Sequence, residues 1–99
     1  VDRPDICLGT DEYHTPKYLV DFLKQRFENE GLTVKINSPY SGTIVPLEFY
    51  KKNKNVQSIM IEVNRKLIYT DNIPNIELMY KLNKVIKNIL QYENYSRNL

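Results

Sequence analysis

Apolar residues recur with the spacing of an amphipathic α-helix in the first third of the chain. Thr15 is a residue type favoured at a helix N-cap, and Pro16 suits the first helical position because it has no backbone N–H to leave unsatisfied. Gly31 is typical of the position just after a helix, where left-handed backbone is common. The pattern therefore predicts a helix between these signals, with a buried stripe of Leu19, Val20, Leu23 and Phe27.

A second helical pattern occupies the last quarter of the chain. Residues 71–74 have the composition of a turn that leads into a helix. We expect this helix to run to about Tyr92 and to fray through residues 96–98. Its predicted apolar stripe consists of Leu78, Leu82, Val85, Ile86 and Ile89.

Three shorter apolar runs predict β-strands. Residues 5–9 form a short apolar run that ends at a glycine, and residues 32–36 alternate between apolar and polar positions. Residues 56–63 end in a run that is apolar on both faces, which is typical of a central strand covered on two sides. Residues 38–46 have the composition of a loop, while residues 47–50 fit either a short strand or a turn.

The order of these elements predicts the fold class. A strand, a helix and a second strand joined by short links favour a crossover connection and a parallel strand pair. The full order, β-α-β-β-α, indicates an α/β fold in which helices flank a mixed sheet. A chain of 99 residues with 41% hydrophobic residues is sufficient for a single domain with one core.

Charge and cysteine content narrow the classes of function. A net charge of +2 is small for a nucleic-acid-binding surface, and no apolar run is long enough to cross a membrane. The single cysteine, Cys7, lies in an apolar run and is expected to be a buried, inert thiol, which fits a reducing, cytoplasmic setting. The densest basic cluster has the composition of a solvated turn and consists of Lys51, Lys52 and Lys54.

Glu62 stands out because it interrupts the otherwise apolar run Ile59–Val63. A carboxylate is rarely buried without a partner, and a sequestered one is suited to proton transfer. The structural alternatives are a solvent-facing glutamate at a strand end and an ion pair with Arg65 or Lys66. Arg65 itself offers a planar fork of donors that suits a substrate carboxylate, unless it is a solvated residue at the strand end.

Two loops follow predicted strand ends, where open α/β sheets commonly bind ligands. One runs from Asn37 to Gly42 and includes Tyr40, and the other contains Asp11 and the only histidine, His14. A catalytic zinc site usually has three protein ligands, two of them histidines. One histidine near carboxylates is a poor match, so we expect no metal ligands in this chain.

Three short blocks of sequence form an ordered set: residues 3–16 read Arg-Pro-Asp-Ile-Cys-Leu-Gly-Thr-Asp-Glu-Tyr-His-Thr-Pro, residues 37–42 read Asn-Ser-Pro-Tyr-Ser-Gly, and residues 59–67 read Ile-Met-Ile-Glu-Val-Asn-Arg-Lys-Leu. Together, in this order, they resemble the N-formylglutamate amidohydrolase family. Each block is short, but their order and spacing are fairly specific. The resemblance covers residues 3–69 and departs from the family where the third block continues Ile-Tyr after Lys-Leu instead of a Leu-Tyr-Met-like ending.

The resemblance implies a three-layer phosphorylase/hydrolase-like fold, related to zinc carboxypeptidases and aspartoacylase. It also implies zinc-dependent hydrolysis of the N-formyl, or another N-acyl, amide of glutamate or a related amino acid, in histidine degradation. Glu62 matches the strand-borne glutamate that transfers the proton in this chemistry. The residues that the resemblance places around the substrate are Arg65, Asn37, Tyr40, Asp11 and His14.

Family members are longer, and their zinc ligands lie upstream of the position of Val1, which is not an initiator methionine. We therefore expect this chain to be the C-terminal portion of a larger amidohydrolase domain, inactive and free of zinc by itself, and to associate with itself through uncovered apolar surface. The alternative is a small, non-catalytic protein-interaction module. In that case the helix over residues 74–92 and the turn over residues 51–55 would contact a partner.

Overall fold

The computed structural model describes the backbone of residues 3–97 and the side chains of residues 3–69 and 71–89. The described chain forms two compact units, the first ending at Asn64 and the second beginning at Arg65. The elements, in chain order, are β1 (Ile6–Gly9), α1 (Lys17–Asn29), β2 (Val34–Ile36), β3 (Met60–Val63), α2 (Arg65–Ile68), β4 (Tyr69–Thr70), β5 (Ile73–Pro74) and α3 (Ile76–Arg97).

A mixed three-stranded sheet forms the centre of the first unit. β1 lies in the middle of the strand order β2-β1-β3, parallel to β2 and antiparallel to β3. The parallel pair is connected through α1, as the strand-helix-strand pattern predicted. The α/β class with a mixed sheet is therefore confirmed.

The strand predicted over residues 56–63 is shorter than expected and, within the described residues, lies at an edge of the sheet instead of its centre. β3 begins only at Met60, and within the described residues it pairs with β1 alone. The backbone before it bonds to a loop instead, since the carbonyl of Val56 meets the ring of His14 and the N–H of Ser58 donates to the His14 carbonyl. These backbone groups are consequently not available to a β-ladder, which the apolar pattern alone did not indicate.

Helix α1 begins and ends close to its predicted signals. Pro16, rather than Thr15, immediately precedes the helix, and no side chain caps its first turn. The Thr15 hydroxyl accepts the Asp11 N–H at 2.9 Å and donates to the Ser58 carbonyl at 2.6 Å, so it joins two loops. Gly31 follows the helix with a φ of +81°, as predicted. The predicted apolar stripe is buried throughout: Leu19, Val20, Leu23 and Phe27.

Residues of β1 are buried on both faces of the three-stranded sheet. Ile6 is fully buried on one face, whereas Cys7 is buried on the opposite face because successive strand residues alternate. The Cys7 thiol donates to the carbonyl of Tyr40 at 3.2 Å. Gly9 shares the face of Cys7, and any side chain there would overlap the carbonyl oxygen of Gly42. The loop that contains Tyr40 and Gly42 therefore lies directly on this face.

The long connection between β2 and β3 contains no strand within the described chain. Residues 47–52 form consecutive turns. Of the two alternatives left open for residues 47–50, a short strand or a turn, the turn is therefore correct. The N–H of Phe49 donates to the carbonyl of Pro46, and the N–H of Lys52 donates to the carbonyl of Phe49, which closes these turns locally.

The second unit contains a β-hairpin, β4-β5, and a short helix, α2, that the sequence interpretation missed. Asp71 and Asn72 form the hairpin turn with φ values of +51° and +66°. Two positive φ values in a two-residue turn suit the right-handed twist of a hairpin, and Asp and Asn tolerate this conformation. The Asp-Asn pair was therefore a usable signal for the hairpin.

Helix α3 starts where the sequence predicted and extends further. The side-chain oxygen of Asn75 accepts the N–H of Leu78 at 3.0 Å, which caps the first turn. The helix continues to Arg97, beyond the predicted end near Tyr92, and Asn98 lies outside the described residues. Of the predicted stripe, Leu78 and Val85 are buried, Leu82 and Ile89 are half-buried, and Ile86 is exposed. No helix in the described part of the chain has the length and hydrophobicity needed to cross a lipid bilayer.

Candidate functional site

The loop after β1 is built around the carboxylate of Asp11. Its Oδ1 atom accepts the backbone N–H groups of Tyr13 at 2.8 Å and of His14 at 2.9 Å. The Asp11 carbonyl accepts the N–H of Thr15, also at 2.9 Å. The loop is therefore closed by its own hydrogen bonds.

These hydrogen bonds also set the ionisation of Asp11. The pKa of its carboxyl is lowered: desolvation acts in the opposite direction, but the N–H groups of His14 and Tyr13 stabilise the charged form. The positive charge of Lys51 contributes in the same direction. Asp11 is accordingly a carboxylate at neutral pH.

Asn37 connects the carboxyl ends of the two parallel strands. Its side-chain oxygen accepts the N–H of Thr10 at 2.9 Å, and its side-chain nitrogen donates to the Thr10 hydroxyl at 2.8 Å. Its own N–H donates to the carbonyl of Leu8 at 2.8 Å. Asn37 has a φ of +56°, a conformation that asparagine tolerates better than most residues. It therefore shapes the loop after β1 and commits most of its own polar groups to doing so.

His14 is fully buried, and both of its ring nitrogens are engaged. Nε2 accepts the backbone N–H of Lys51 at 2.9 Å, and Nδ1 lies 2.8 Å from the carbonyl of Val56. Because a carbonyl can only accept, the hydrogen is assigned to Nδ1, which makes the ring neutral. Lys51 has a φ of +56°, so this bond holds a backbone conformation that a lysine rarely adopts. His14 presents no free nitrogen to a substrate, and this environment does not support the substrate contact predicted for it.

A cleft of about 590 Å³ opens beside this network. It is bordered by the loop after β1, by the second sequence block and by the turn around Lys51. The residues that line it are Thr10, Asp11, Glu12, Tyr13, Ser41, Gly42, Tyr50, Lys51 and Lys54. Of the predicted site residues, only Asp11 contributes directly to this lining.

Glu62 is half-buried on β3, directly across from Cys7 in the antiparallel ladder. Paired residues of adjacent strands point to the same face, so Glu62 shares the face on which Cys7 contacts the Tyr40 carbonyl. The hydroxyl of Tyr40 accepts a hydrogen bond from Arg3 at 2.6 Å. Within the described residues the Glu62 carboxylate has no hydrogen bond or ion pair. The structure thus brings Glu62 and the second block to one face, although on a shorter and less central strand than predicted.

Arg65 is exposed and is the first residue of α2, in the second unit. It is therefore a helical residue rather than the strand-end residue that the sequence indicated.

The side chains that could bind a metal do not cluster within the described residues. No three side chains of the types His, Cys, Asp and Glu come together within the described part of the chain. The two strongest candidates are already committed, because His14 uses both nitrogens and the thiol of Cys7 donates to a carbonyl.

The sequence profile of the N-formylglutamate amidohydrolase family matches residues 1–69. The chain belongs to the N-formylglutamate amidohydrolase family. All three blocks, and every predicted site residue, lie inside the matched segment.

The fold agrees with a crystal structure of the same family. The chain is similar to N-formylglutamate amidohydrolase from Ralstonia eutropha JMP134, with a TM-score of 0.71 and 22% sequence identity. The match covers 97% of this chain and 35% of that one, so the chain spans about a third of its structural neighbour. No curated protein sequence matches the chain significantly.

The cleft of this N-formylglutamate amidohydrolase family member is lined partly by residues to which the sequence interpretation gave no role in a site. Lys51, Lys52 and Lys54 are exposed in turns, as predicted, and Lys51 and Lys54 also line the cleft, whereas Lys52 does not. Tyr13 and Tyr50 line it with them. A usable signal was the placement of two lysines three positions apart next to a tyrosine, but only the fold showed which loop they face.

Proposed function

We propose that this chain is part of an amidohydrolase that cleaves the N-formyl, or another N-acyl, amide of glutamate or a related amino acid. The family match over residues 1–69 carries this proposal. In our proposal the intact enzyme has the three-layer hydrolase-like fold and works in the cytoplasm. Zinc would be bound outside residues 3–97, so the 99-residue chain by itself is inactive.

We propose that Glu62 transfers the proton during amide hydrolysis. A carboxylate can accept a proton from the attacking water and deliver it to the departing amine nitrogen. The position of Glu62 supports this role, because it is half-buried on the same sheet face as the second block and has no polar partner among the described residues. A glutamate needed only for structure would be expected to have a partner.

The other predicted site residues differ in how strongly their positions support a role in substrate binding. Asp11 lines the cleft, while Asn37 holds the neighbouring Thr10 and Tyr40 lies in the loop on the Glu62 face. Arg65 stays a proposal for binding a substrate carboxylate, on the strength of its planar guanidinium and its place in the third block. His14 is better explained as a structural residue that holds the cleft wall.

Formate release from N-formylglutamate by the intact protein that contains this chain tests the proposal. Glu62→Gln keeps the size of the side chain but removes its basicity, and it should lower kcat by about 10²–10⁴-fold. Glu48→Gln, at an exposed turn position outside the cleft lining, should leave kcat unchanged. A wild-type protein without activity on any N-acyl amino acid would reject the function, and full activity of Glu62→Gln would reject the role of Glu62.

One observation favours a second, non-catalytic behaviour. Ile44 and Leu47 are 91% and 87% exposed, although apolar side chains of this size are usually covered. We propose that the 99-residue chain associates with itself through this segment. Sedimentation velocity at several concentrations tests the idea, and the double variant Ile44→Ser/Leu47→Ser should shift the chain towards monomer. A wild-type chain that stays monomeric across the range contradicts it.

A further inference from the structure

We propose that Lys51 and Lys54 form a carboxylate-binding subsite in the cleft, which takes a carboxylate of an N-acyl amino acid. The inference rests on the proposed function for the class of ligand and goes beyond it in assigning the residues. The cleft has a volume of about 590 Å³, which is in the range of small-molecule sites in proteins.

Both lysines are held over aromatic rings that line the same cleft. The Nζ atom of Lys51 lies 5.4 Å from the centroid of the Tyr50 ring, and the Nζ atom of Lys54 lies 5.2 Å from that of Tyr13. Contact with the face of an aromatic ring restrains an ammonium group but uses none of its hydrogen-bond donors. The two charges are thus positioned at the cleft without a salt bridge to an acidic side chain of the described residues, although Lys51 is near enough to Asp11 to lower the pKa of that carboxyl.

Lys51 and Lys54 differ from several other lysines of the described chain because they form no ion pair there. Lys17, Lys24 and Lys81 each pair with a carboxylate four residues away on their own helix. Lys51 and Lys54 make no such pair within the described residues. They therefore have donors available for a ligand.

The backbone beneath Lys51 is fixed from inside the protein. Nε2 of His14 accepts the Lys51 N–H, and His14 is itself held by the carbonyl of Val56 and by the loop of Asp11. The left-handed conformation of Lys51 is maintained by this buried contact. A binding group on a fixed backbone loses less conformational entropy when it engages a ligand.

The acidic residues of the cleft come from a different segment than the lysines. Asp11 and Glu12 belong to the loop after β1, and the Oδ2 atom of Asp11 accepts no hydrogen bond among the described residues. An N-acyl amino acid offers both a carboxylate, which suits the ammonium groups, and an amide N–H, which suits a carboxylate acceptor. A cleft that offers both ammonium groups and carboxylates favours such a ligand over a simple anion.

A titration of the ¹⁵N-labelled 99-residue chain with N-formylglutamate, followed by NMR, tests the subsite without requiring catalysis. We expect shift changes at Ser41, Gly42, Lys51 and Lys54. Lys51→Gln and Lys54→Gln should each weaken binding about tenfold, the effect of losing one charge-assisted hydrogen bond. The diamide of N-formylglutamate, which lacks both carboxylates, should bind at least as weakly as either variant.

Lys52→Gln is the matched control, because Lys52 lies between the two lysines in sequence but does not line the cleft. It should bind N-formylglutamate as the wild-type chain does, and unchanged backbone spectra should confirm that each variant is folded. Equal affinity in wild type, Lys51→Gln and Lys54→Gln would overturn the subsite, as would tight binding of the diamide or no shift changes at the cleft. The titration measures ligand binding and tests the lysine subsite, whereas the formate assay measures hydrolysis and tests the proposed function. A failure of one proposal can therefore be distinguished from a failure of the other.

Discussion

His14 and Glu62 occupy two regions of the first unit that differ in how their polar groups are satisfied. His14 is fully buried and uses both ring nitrogens to hold the backbone of two other segments. Glu62 is half-buried and has no polar partner among the described residues, although it interrupts the otherwise apolar strand β3. A satisfied buried polar group stabilises the fold, whereas one kept without a partner is a better candidate for chemistry. The comparison favours Glu62, the residue that the sequence singled out, over His14 as the candidate for chemistry.

The largest effect should follow from removing His14. His14→Ala leaves the N–H of Lys51 and the carbonyl of Val56 without partners and opens a cavity, which should lower the free energy of unfolding by about 3 kcal/mol or more. Urea unfolding monitored by circular dichroism measures this loss. His14→Asn, which retains a donor and an acceptor, should recover part of it. A loss below about 1 kcal/mol would mean that the His14 network does not stabilise the fold.

A smaller but clear loss should follow from a side chain at Gly9, which lies against the carbonyl oxygen of Gly42. The added Cβ of Gly9→Ala would overlap the carbonyl oxygen of Gly42 and force the loop off the face that Glu62 shares. We expect a loss of about 2 kcal/mol in the same urea experiment, typical of overpacking. Gly31→Ala is a useful comparison, because its added Cβ meets no atom within 4 Å and only the positive φ opposes it. Equal losses in both would show that conformational strain, rather than contact with the loop, limits position 9.

Asp11 should make stability depend on pH in a predictable direction. The pKa of Asp11 is lowered in the folded chain. Its carboxylate therefore stabilises the fold fully at pH values above the ordinary aspartate pKa of about 3.9, and this stabilisation disappears as the pH falls through the lowered pKa of the folded state. The stability advantage of wild type over Asp11→Asn should therefore be present at neutral pH and shrink under acid conditions. Urea unfolding of both chains from neutral pH into this acid range measures it. An advantage that stays constant with pH would contradict the assignment.

The smallest effect on stability should come from Glu62. Because Glu62→Gln breaks no hydrogen bond or ion pair within the described residues, the free energy of unfolding should change by no more than about 0.5 kcal/mol. Stability close to wild type, together with the loss of kcat expected in the intact enzyme, would separate a catalytic role from a structural one. Destabilisation comparable to that of His14→Ala would instead show that Glu62 stabilises the fold, and it would contradict the contrast drawn between Glu62 and His14.

Local patterns in the sequence determined the elements with strong periodicity. The stripe of α1 and its glycine stop predicted that helix closely, because burial of one face and a left-handed stop are properties of consecutive residues. The parallel pair followed from the short links around α1. The three blocks were sufficient to indicate the family, which the profile match over residues 1–69 then established.

Only the tertiary structure decided which side chains meet. His14 bonds to the backbone of Lys51, 37 positions further along the chain, and of Val56, 42 positions further along. No local sequence pattern encodes such pairings. Because the backbone of residues 56–58 bonds to His14, these residues do not pair with the sheet. The contact with Lys51 likewise holds the turn of Lys51 and Lys54 beside the cleft. Periodicity reports that a residue is covered, but the identity of the covering segment depends on how the chain returns on itself.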